Sequence, residues 1–474
     1  MKDHIIICGL GNIGFHVFEL LTRAGFQVAV ITEKTHAEWA WQVTEAAGLM
    51  LYGDGRDDNL LLEAGIQTAK AILTLTNLDR INLAIAVDAQ KLNPHIKIIS
   101  RIFDSELGSL VSGAFDIEQV FSTSELAAPL FSLSVSHKDI LGHFSFKNQH
   151  FIVTEQDKSS KKKLSGDVLG ENNQKYLIAR PLKKKKKKSF SFFNFMSPAY
   201  HFHTPVFVFF RRFLTVLFLI ILMSTLFLSW AMQLSFTDTL YFVIATVSSV
   251  GYGDINFSKS SDALKYFGCL LMLTGTAIIA ILFSTVTEIL LIKRIPNIVG
   301  GFPVPRKDHI IVVGGDHIGE RIVSSLIESG QPIVIIEGDP KDRYQEDILR
   351  QIALVNGNPK SENTLLRANI KSAKAILVIT KDDIENLSIS IAAKKLNPSI
   401  KEISQINNIK IGGTLKHVLS MTNAFSVPFI AGPYFMASLF RDNIIFAIEW
   451  HDKIIFLYED KEKWTAESIP LPMA

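Results

Sequence analysis

Two long stretches of the chain are apolar without interruption. Residues 213–234 and 266–287 contain no charged side chain, and about 20 such residues are enough for a helix to cross a bilayer. Neither stretch has the polar face of a surface helix, and the first lies too far from Met1 to be a signal peptide. The pattern predicts two membrane-spanning helices, over about 206–234 and 264–292.

Shorter apolar runs of a different kind lie on both sides of these stretches. Runs of β-branched residues such as Ile5–Ile7 alternate with helix-like segments, which is typical of a βαβ parallel sheet. The pattern occurs twice: KDHIIICGLGNIG at 2–14 returns as KDHIIVVGGDHIG at 307–319, and KLNP at 91–94 returns at 395–398. The two copies are about three hundred residues apart. This distance is far longer than the repeat of a solenoid, so it indicates duplicated domains.

These patterns divide the chain into four parts. We predict a multidomain protein in which two Rossmann-like α/β domains, each with a β-rich tail, flank an all-α membrane unit with two spanning helices. A segment rich in Lys, Ser, Gly and Asn without apolar periodicity predicts a mobile linker. The predicted boundaries are 1–155 for the first domain, 156–189 for the lysine-rich linker, 190–296 for an interfacial segment and the membrane unit, and 305–474 for the second domain.

Charge sets the expected orientation and partners. The chain has 49 Lys and Arg against 46 Asp and Glu, a net charge of +3, which disfavours a nucleic-acid partner. The run Lys183–Lys188 precedes the first span, and Lys293 and Arg294 follow the second, so both termini are expected in the cytoplasm of a multi-pass inner (cell) membrane protein. We expect the lysine run to rest on anionic lipid.

The segment between the spans carries the most specific motif. In TDTLYFVIATVSSVGYGD, residues 237–254, Thr237 or Asp238 is expected to cap a short re-entrant helix that ends near Val247. Glycines alternate with larger residues after it and allow left-handed backbone, so that successive carbonyls can turn to one axis. Such carbonyl rings replace the water shell of K⁺. The predicted filter is Ser249, Val250, Gly251, Tyr252, Gly253 and Asp254, with K⁺ at the first four.

At these residues the chain resembles the potassium channel family, whose signature is TVGYGD, with Ser249 in place of the leading Thr. The resemblance implies a homotetramer, since one chain supplies one quarter of the filter ring, and makes the membrane unit a pore unit with a re-entrant pore helix. The second span would then line the inner cavity. Gly275 in that span is a candidate gating hinge, and close helix packing is the alternative explanation for it.

A glycine-rich turn follows the first strand of each copy. Gly9, Gly11 and Gly14 have the spacing of a dinucleotide fingerprint between a strand and a helix, with Asn12 and Ile13 inside the turn. A carboxylate that binds the ribose hydroxyls is expected at the end of the second strand. Thr32 occupies that position, and the carboxylate, Glu33, is the next residue. We predict a nucleotide in the first copy.

The second copy is expected to be a weaker nucleotide site. Gly314 and Gly319 keep two glycines of the fingerprint, but Asp316 replaces the middle one, and a carboxylate there would repel a pyrophosphate. Glu337 closes its second strand, so the half of the site that binds ribose is retained.

Both copies also resemble the RCK (TrkA-N-like) regulatory domains of prokaryotic potassium channels and transporters, over about 2–121 and 307–425. The matching residues include Asp54 in YGD and Asn82 in the first copy, and Gly357 and Asn386 in the second. The resemblance implies a cytoplasmic ring of eight domains from four chains, whose ligand gates the pore. It leaves the ligand open among NAD(H), an adenine nucleotide and a divalent cation. Asp54, Asp57 and Asp58 more simply form a solvated loop and helix start.

We therefore predict a potassium-selective channel gated by ligand binding to its RCK domains, and not an enzyme. One alternative is a membrane-anchored, nucleotide-dependent oxidoreductase, which would leave the filter unexplained and lacks an evident catalytic set. Another is a nucleotide-sensing regulatory subunit of a potassium transport system, which would need no pore.

Overall fold

The computed structural model of the chain describes residues 2–46, 48–103, 108, 117, 119–159, 166–182, 205–258, 260–299, 303–315, 317–338, 348, 352–407 and 424–472. The chain forms two compact units, residues 1–188 with 301–474, and residues 189–300. The lysine run 183–188 and Asp316 lie outside the described residues, so the expectations placed on them stay predictions.

The first copy is a six-stranded parallel sheet in the order β3-β2-β1-β4-β5-β6. The register pairs Ile5 with Val28 on one side and with Ala71 on the other. All of β1 and β4 is buried, as in sheets covered by helices on both faces. Its elements are β1 Ile5–Cys8, α1 Asn12–Arg23, β2 Val28–Thr32, α2 Ala37–Glu45, β3 Leu49–Tyr52, α3 Asp58–Glu63, β4 Ala71–Thr74, α4 Asp79–Leu92, β5 Lys97–Arg101, β6 Gln119–Phe121 and α5 Thr123–Ser134.

The chain order of the strands reverses between β1 and β4. In open parallel sheets a ligand binds at this point, outside the carboxyl ends of the strands. The fold therefore places Gly9, Thr32 and Thr76 at one edge, because each lies at or just after the end of a strand.

An antiparallel sheet follows, and it corrects the predicted linker. Its order is β7-β8-β10-β9, formed by β7 Ile140–Phe146, β8 Gln149–Asp157, β9 Asp167–Glu171 and β10 Lys175–Pro181. The linker prediction over 156–189 is wrong where β9 and β10 lie. Leu177, Ile178 and Ala179 are fully buried there, and this short apolar run is masked in the sequence by the lysines around it.

The membrane unit is helical. It contains α6 Pro205–Met232, α7 Phe236–Val247 and α8 Asp262–Val299. Within the described residues, α6 and α8 each contain a segment long and apolar enough to cross a membrane, Arg211–Met232 and Asp262–Ser284. Leu228, Phe242, Val243, Val247 and Leu271 form a core where the three helices meet.

The second copy repeats the sheet in the order β13-β12-β11-β14-β15-β16, followed by a three-stranded antiparallel sheet. The register of Ile310 with Ile333 and Ala375 matches that of Ile5 in the first copy. Its elements are β11 Ile310–Val313, α9 His317–Glu328, β12 Ile333–Glu337, β13 Ala353–Asn356, α10 Glu362–Arg367, β14 Ala375–Val378, α11 Asp383–Leu396, β15 Lys401–Gln405, β16 Ala424–Phe425, α12 Val427–Ala437, β17 Ile444–Trp450, β18 Lys453–Asp460 and β19 Lys463–Pro470.

The two copies pack by exchanging helices. Helix α5 of the first copy lies on α9 of the second, where Ser325 donates to Ser132 at 3.2 Å. Helix α12 of the second copy lies on α1, where the His16 and Phe429 rings stack at 4.1 Å. One apolar core runs through both copies. The copies therefore form one body, with the first glycine-rich turn close to the second copy.

Candidate nucleotide cleft and pore segment

The glycine-rich turn of the first copy contains glycines with two different purposes. Gly9 has φ +103°, and a Cβ on it would lie 2.9 Å from the Thr76 nitrogen. A Cβ on Gly14 would lie 2.0 Å from the Gly9 oxygen. Both are therefore required by the fold, for the turn and for packing α1 on the strand.

Gly11 is different. Its φ is −86°, which any residue adopts, and a Cβ there would meet nothing within 4 Å. The fold does not need glycine at this position. The missing side chain leaves the first turn of α1 open, so a phosphate can approach its free N–H groups.

The ends of β2 and β3 supply the polar side chains opposite this turn. The Thr32 hydroxyl accepts from Leu10 N at 3.3 Å and donates to Lys34 O at 3.0 Å, so it holds the turn in place. Glu33, the next residue, is exposed and lines the cleft. Asp54 is paired with Arg56, and the side-chain hydrogen bond from Arg56 lowers the pKa of the Asp54 carboxyl.

These residues surround one cavity of about 920 Å³. Of the residues predicted for the cofactor, Gly9, Gly11, Asn12, Ile13, Thr32, Glu33 and Asp54 line it. Gly14 does not line it, because it lies in the first turn of α1 and packs against the Gly9 carbonyl. Asp57 caps α3 by accepting from Asn59 N at 2.9 Å. Within the described ranges no group of three His, Cys, Asp or Glu residues is arranged to hold a metal ion.

Sequence analysis missed the other wall of the cavity. Arg101 is the last residue of β5 and Phe103 follows it, and His317, Lys381 and Gln405 come from the second copy. The rings of Phe103 and His317 approach to 5.1 Å. Arg101 could have been predicted as a site residue, because it is a charged residue at the carboxyl end of a parallel strand. The residues of the second copy could not, because their place in the cavity depends on how the two copies pack.

The corresponding turn of the second copy has the same glycine framework at its two ends, Gly314 and Gly319. Gly314 has φ +106°, and a Cβ on Gly319 would lie 2.7 Å from the Gly314 oxygen. Glu337 ends β12, and its carboxylate accepts from Gly338 N at 2.9 Å. His317 lines the first copy's cavity.

In the membrane unit, α7 starts two to three residues before the predicted position. Ser235, rather than Thr237 or Asp238, is the N-cap, and its side chain accepts from Asp238 N at 3.1 Å. The helix ends at Val247, where the sequence predicts it. The apolar face of α7 is buried, which fixes the end of the helix against α6 and α8.

The residues after α7 begin with a Schellman turn. Ser249 N donates to Thr246 O at 3.1 Å and Val250 N donates to Ala245 O at 3.0 Å. Ser249 has φ +58°, the left-handed conformation that glycine usually supplies at this position. Gly251 and Gly253 also have positive φ, +54° and +79°. The segment thus leaves the helix through alternating left-handed residues.

Gly275 lies against the end of α7. A Cβ on it would be 2.7 Å from the Val247 oxygen and 2.8 Å from the Val247 Cα. Close packing of α8 on α7 therefore accounts for a glycine here, and a hinge remains a prediction.

Two family models match the chain. The TrkA-N domain model matches residues 5–123 and 310–425, which are the two copies. The ion channel model matches residues 214–291, which lie in the helical unit. The chain therefore contains two TrkA-N domains and an ion channel domain. The prediction of two Rossmann-like domains flanking two apolar helices is confirmed, and these helices make it a membrane protein.

Several curated relatives are potassium-transport proteins. The chain is 25% identical over 222 residues to "Probable potassium channel protein 2" of Methanocaldococcus jannaschii, covering 41% of this chain and 61% of that protein. It is 25% identical over 189 residues to the voltage-gated potassium channel Kch of Escherichia coli, covering 39% and 45%. A Trk system potassium uptake protein TrkA homolog of Pyrococcus horikoshii is 31% identical over 145 residues, covering 30% and 58%. The chain thus spans about half the length of these relatives.

Solved structures support the fold. The GsuK channel bound to NAD has a TM-score of 0.52 at 14% identity, covering 93% of this chain and 64% of that one. The GsuK RCK domain structure has a TM-score of 0.52 at 15% identity, covering 93% and 76%. Both show that TrkA-N domains of this arrangement are similar in fold to RCK domains.

Proposed function

We propose that this chain is a subunit of a potassium-selective channel, with passive K⁺ conduction gated by ligand binding to its TrkA-N domains. The observation that carries the proposal is the segment 249–254, in which the glycines have positive φ between two helices of membrane-spanning length. Carbonyl rings from such a segment can replace the hydration shell of K⁺. The potassium channels among the relatives support the choice of ion.

The quaternary structure belongs to the same proposal. Four chains would close the filter around Ser249, Val250, Gly251 and Tyr252, and their TrkA-N domains would form a cytoplasmic ring of eight. Both ends of the sequence would lie in the cytoplasm, with the lysine run on anionic lipid of the inner membrane. Protease treatment of inside-out vesicles would test this topology, since tags at either end should be cleaved without detergent.

The conduction experiment is a flux measurement. The purified full-length protein in liposomes should pass K⁺ at least tenfold faster than Na⁺. Gly251→Ala should abolish K⁺ flux, because an L-residue at this φ is strained by about 1–2 kcal/mol and carbonyl alignment is lost. Gly25→Ala is the matched control: Gly25 has φ +84° with open space around it, but lies outside the filter segment. Absence of flux with every nucleotide and with Ca²⁺ would favour a regulatory subunit of a transporter instead.

The nucleotide belongs in the first TrkA-N domain. The open space at Gly11 fits a pyrophosphate, the N-terminus of α1 would bind it, and Glu33 is placed for ribose hydroxyls. Neighbouring folds include a channel bound to NAD. The second TrkA-N domain is proposed to bind nucleotide weakly or not at all, through Gly314, Gly319 and Glu337.

Gating follows from differential binding. A ligand shifts a ring between two states only by the difference in its affinity for them. A tenfold preference corresponds to about 1.4 kcal/mol for each site, so four sites can supply several kcal/mol. Gly11→Ala should remove the effect of nucleotide on flux, with a melting temperature within about 1 °C of wild type, since the added methyl meets open space in the fold. An unchanged nucleotide response in this variant would remove the site.

The Gly275 hinge is kept as a secondary proposal. Because a methyl group at Gly275 would press on Val247, altered gating in Gly275→Ala would not by itself distinguish a hinge from packing. The atoms that this methyl group would meet are backbone atoms of Val247, which no side-chain substitution removes, so altered gating supports a hinge only if the melting temperature of Gly275→Ala equals that of wild type.

A further inference from the structure

The nucleotide cavity of the first TrkA-N domain has two electrically different ends. The end formed by β2 and β3 carries the carboxylates Glu33 and Asp54 together with Lys34, and Asp54 is paired with Arg56. The end beyond β4 and β5 carries Arg101 of the first domain, and Lys381 of the second domain lines the same cavity. The glycine-rich turn lies between them. A ligand that spans the cavity therefore meets charges of both signs at the end of β2 and β3, and Arg101 at the other.

Arg101 has unused hydrogen-bonding capacity. Its Nη1 donates to the Thr76 carbonyl at 3.4 Å, and its buried Nε has no partner. The guanidinium carbon lies 4.2 Å from the centre of the Phe103 ring. Asp79, the nearby carboxylate, accepts from Phe103 N at 2.9 Å. Burial lowers the pKa of Arg101 to about 10, so this cation is incompletely solvated yet charged at neutral pH.

Two further buried polar groups line the same part of the cavity. Thr123 Oγ1 is fully buried and has no hydrogen-bond partner, and the same holds for Oε1 of Gln405, which is 4% exposed. Buried polar atoms without partners are rare in folded proteins and call for an explanation such as a bound group. All three side chains line the same cavity, which indicates a polar ligand in it.

The second domain completes this end of the site. Lys381 follows β14, at the position that Asn77 occupies after β4. Its side chain is exposed and lines the cavity. The contact of His317 with Phe103 holds the second domain over the cleft.

We propose that the site selects a nucleoside di- or triphosphate, with its terminal phosphate bound by Arg101 and by Lys381 of the second domain, over a dinucleotide such as NAD⁺. This inference rests on the proposed nucleotide site and narrows its ligand. A guanidinium binds phosphate through paired, charge-assisted hydrogen bonds. The nicotinamide half of NAD⁺ offers a positively charged ring at this end instead.

The test is a set of binding measurements on the full-length protein in detergent or nanodiscs, with ADP, ATP, AMP and NAD⁺ as ligands. We expect ADP or ATP to bind at least tenfold more tightly than AMP and NAD⁺. Arg101→Gln introduces the residue of the second domain, and Lys381→Asn the residue of the first. Each should weaken ADP and ATP about tenfold and change AMP less than threefold.

Arg80→Gln is the matched control, because Arg80 is exposed on α4 and does not line the cavity. It should leave all four affinities unchanged. Arg101→Lys keeps the positive charge and should recover part of the ADP affinity. If Arg101→Gln lowers the melting temperature, its weaker binding could come from lost stability. The affinities of Lys381→Asn, a change at an exposed residue, then decide whether the terminal phosphate is bound here.

The outcomes separate two failures. If NAD⁺ binds as tightly as ADP, or if both substitutions leave ADP binding unchanged, the preference for a terminal phosphate is wrong while the nucleotide site stands. If none of the four ligands binds, the nucleotide site of the proposed function fails with it.

Discussion

The first and second TrkA-N domains tie their sheets together with the same side chain. Asn82 accepts from Thr76 N at 2.9 Å and donates to Thr76 O at 3.0 Å and Arg101 O at 2.8 Å. Asn386 makes the same three bonds in the second domain, at 2.9, 2.9 and 3.0 Å. Each asparagine thus joins the ends of two neighbouring strands through a buried amide.

The domains differ where those strand ends face the cleft. Arg101 in the first domain corresponds to Gln405 in the second, and Asn77 corresponds to Lys381. Gln405 and Lys381, the two residues of the second domain, both line the cavity of the first domain. One framework therefore serves two purposes: the first domain contributes the glycine-rich turn, and the second contributes Gln405 and Lys381 to the cavity beside that turn.

The largest effect is expected from breaking the shared framework. Replacing Asn386 with alanine removes three hydrogen bonds, and replacing Asn82 also removes a fourth, from the Thr76 hydroxyl at 2.6 Å. Each change leaves buried backbone groups unpaired, at about 3 kcal/mol. The melting temperature of the TrkA-N unit should fall by about 6–12 °C in each case. Equal losses in the two variants would support equivalent roles.

Asn59→Ala is the control for this comparison, because Asn59 is exposed and exposed substitutions usually change stability by less than about 0.5 kcal/mol. A wild-type melting temperature in Asn82→Ala would show that the hydrogen bonds of Asn82 contribute nothing to the stability of the domain.

A smaller difference between the domains should appear on acidification. Burial lowers the pKa of His143 in β7 from 6.5 to about 4, and the neighbouring His150 adds to the effect. The unfolded chain then binds more protons between these values, so stability is lost as the pH falls from about 6.5 towards 4. We expect a loss of about 1–2 kcal/mol between pH 7 and 5, reduced from the full shift because His143 is partly exposed.

His143→Ala should remove this pH dependence, since Ala447 occupies the same place in β17 of the second domain. The measurement is the melting temperature against pH, with the exposed His95→Ala as control. The same slope in His143→Ala and wild type would assign the acid sensitivity to other groups.

Most of the fold was predictable because its signals are local. The β-branched runs, the repeated sequence and the two uncharged stretches gave the strands, the duplication and the spans. The strands β9 and β10 were missed because they bury few apolar residues, Leu169 in β9 and Leu177–Ala179 in β10. The exchange of α5 and α12 between the domains was not predictable, since periodicity shows that a face is buried but not what covers it.

The site divides in the same way. Gly9, Gly11 and Gly14 were predictable because a strand, a turn and a helix are adjacent in sequence. The sequence could not show that Gly11, unlike Gly9 and Gly14, is unnecessary for the fold. That conclusion depends on the empty space around the position where a Cβ of residue 11 would lie. Lys381 lies in the other domain and was invisible to any pattern within the first.

The smallest effect concerns a carboxylate that the first domain lacks. Glu402 in β15 is 4% exposed and accepts hydrogen bonds from Ser390, at 2.9 Å, and from Ser404. The first domain has Ile98 and Ala86 at the positions of Glu402 and Ser390, both buried. Burying a carboxylate is unfavourable even when it is hydrogen-bonded, whereas the two serines can still bond to each other at 2.8 Å without it. Glu402→Ile should therefore raise the melting temperature by about 2–4 °C, roughly 1 kcal/mol, and Glu402→Gln, which keeps an acceptor oxygen, should change it less. A fall in Glu402→Ile alone would mean that the charge stabilises the second domain, and that the two domains differ in their cores as well as at the cleft.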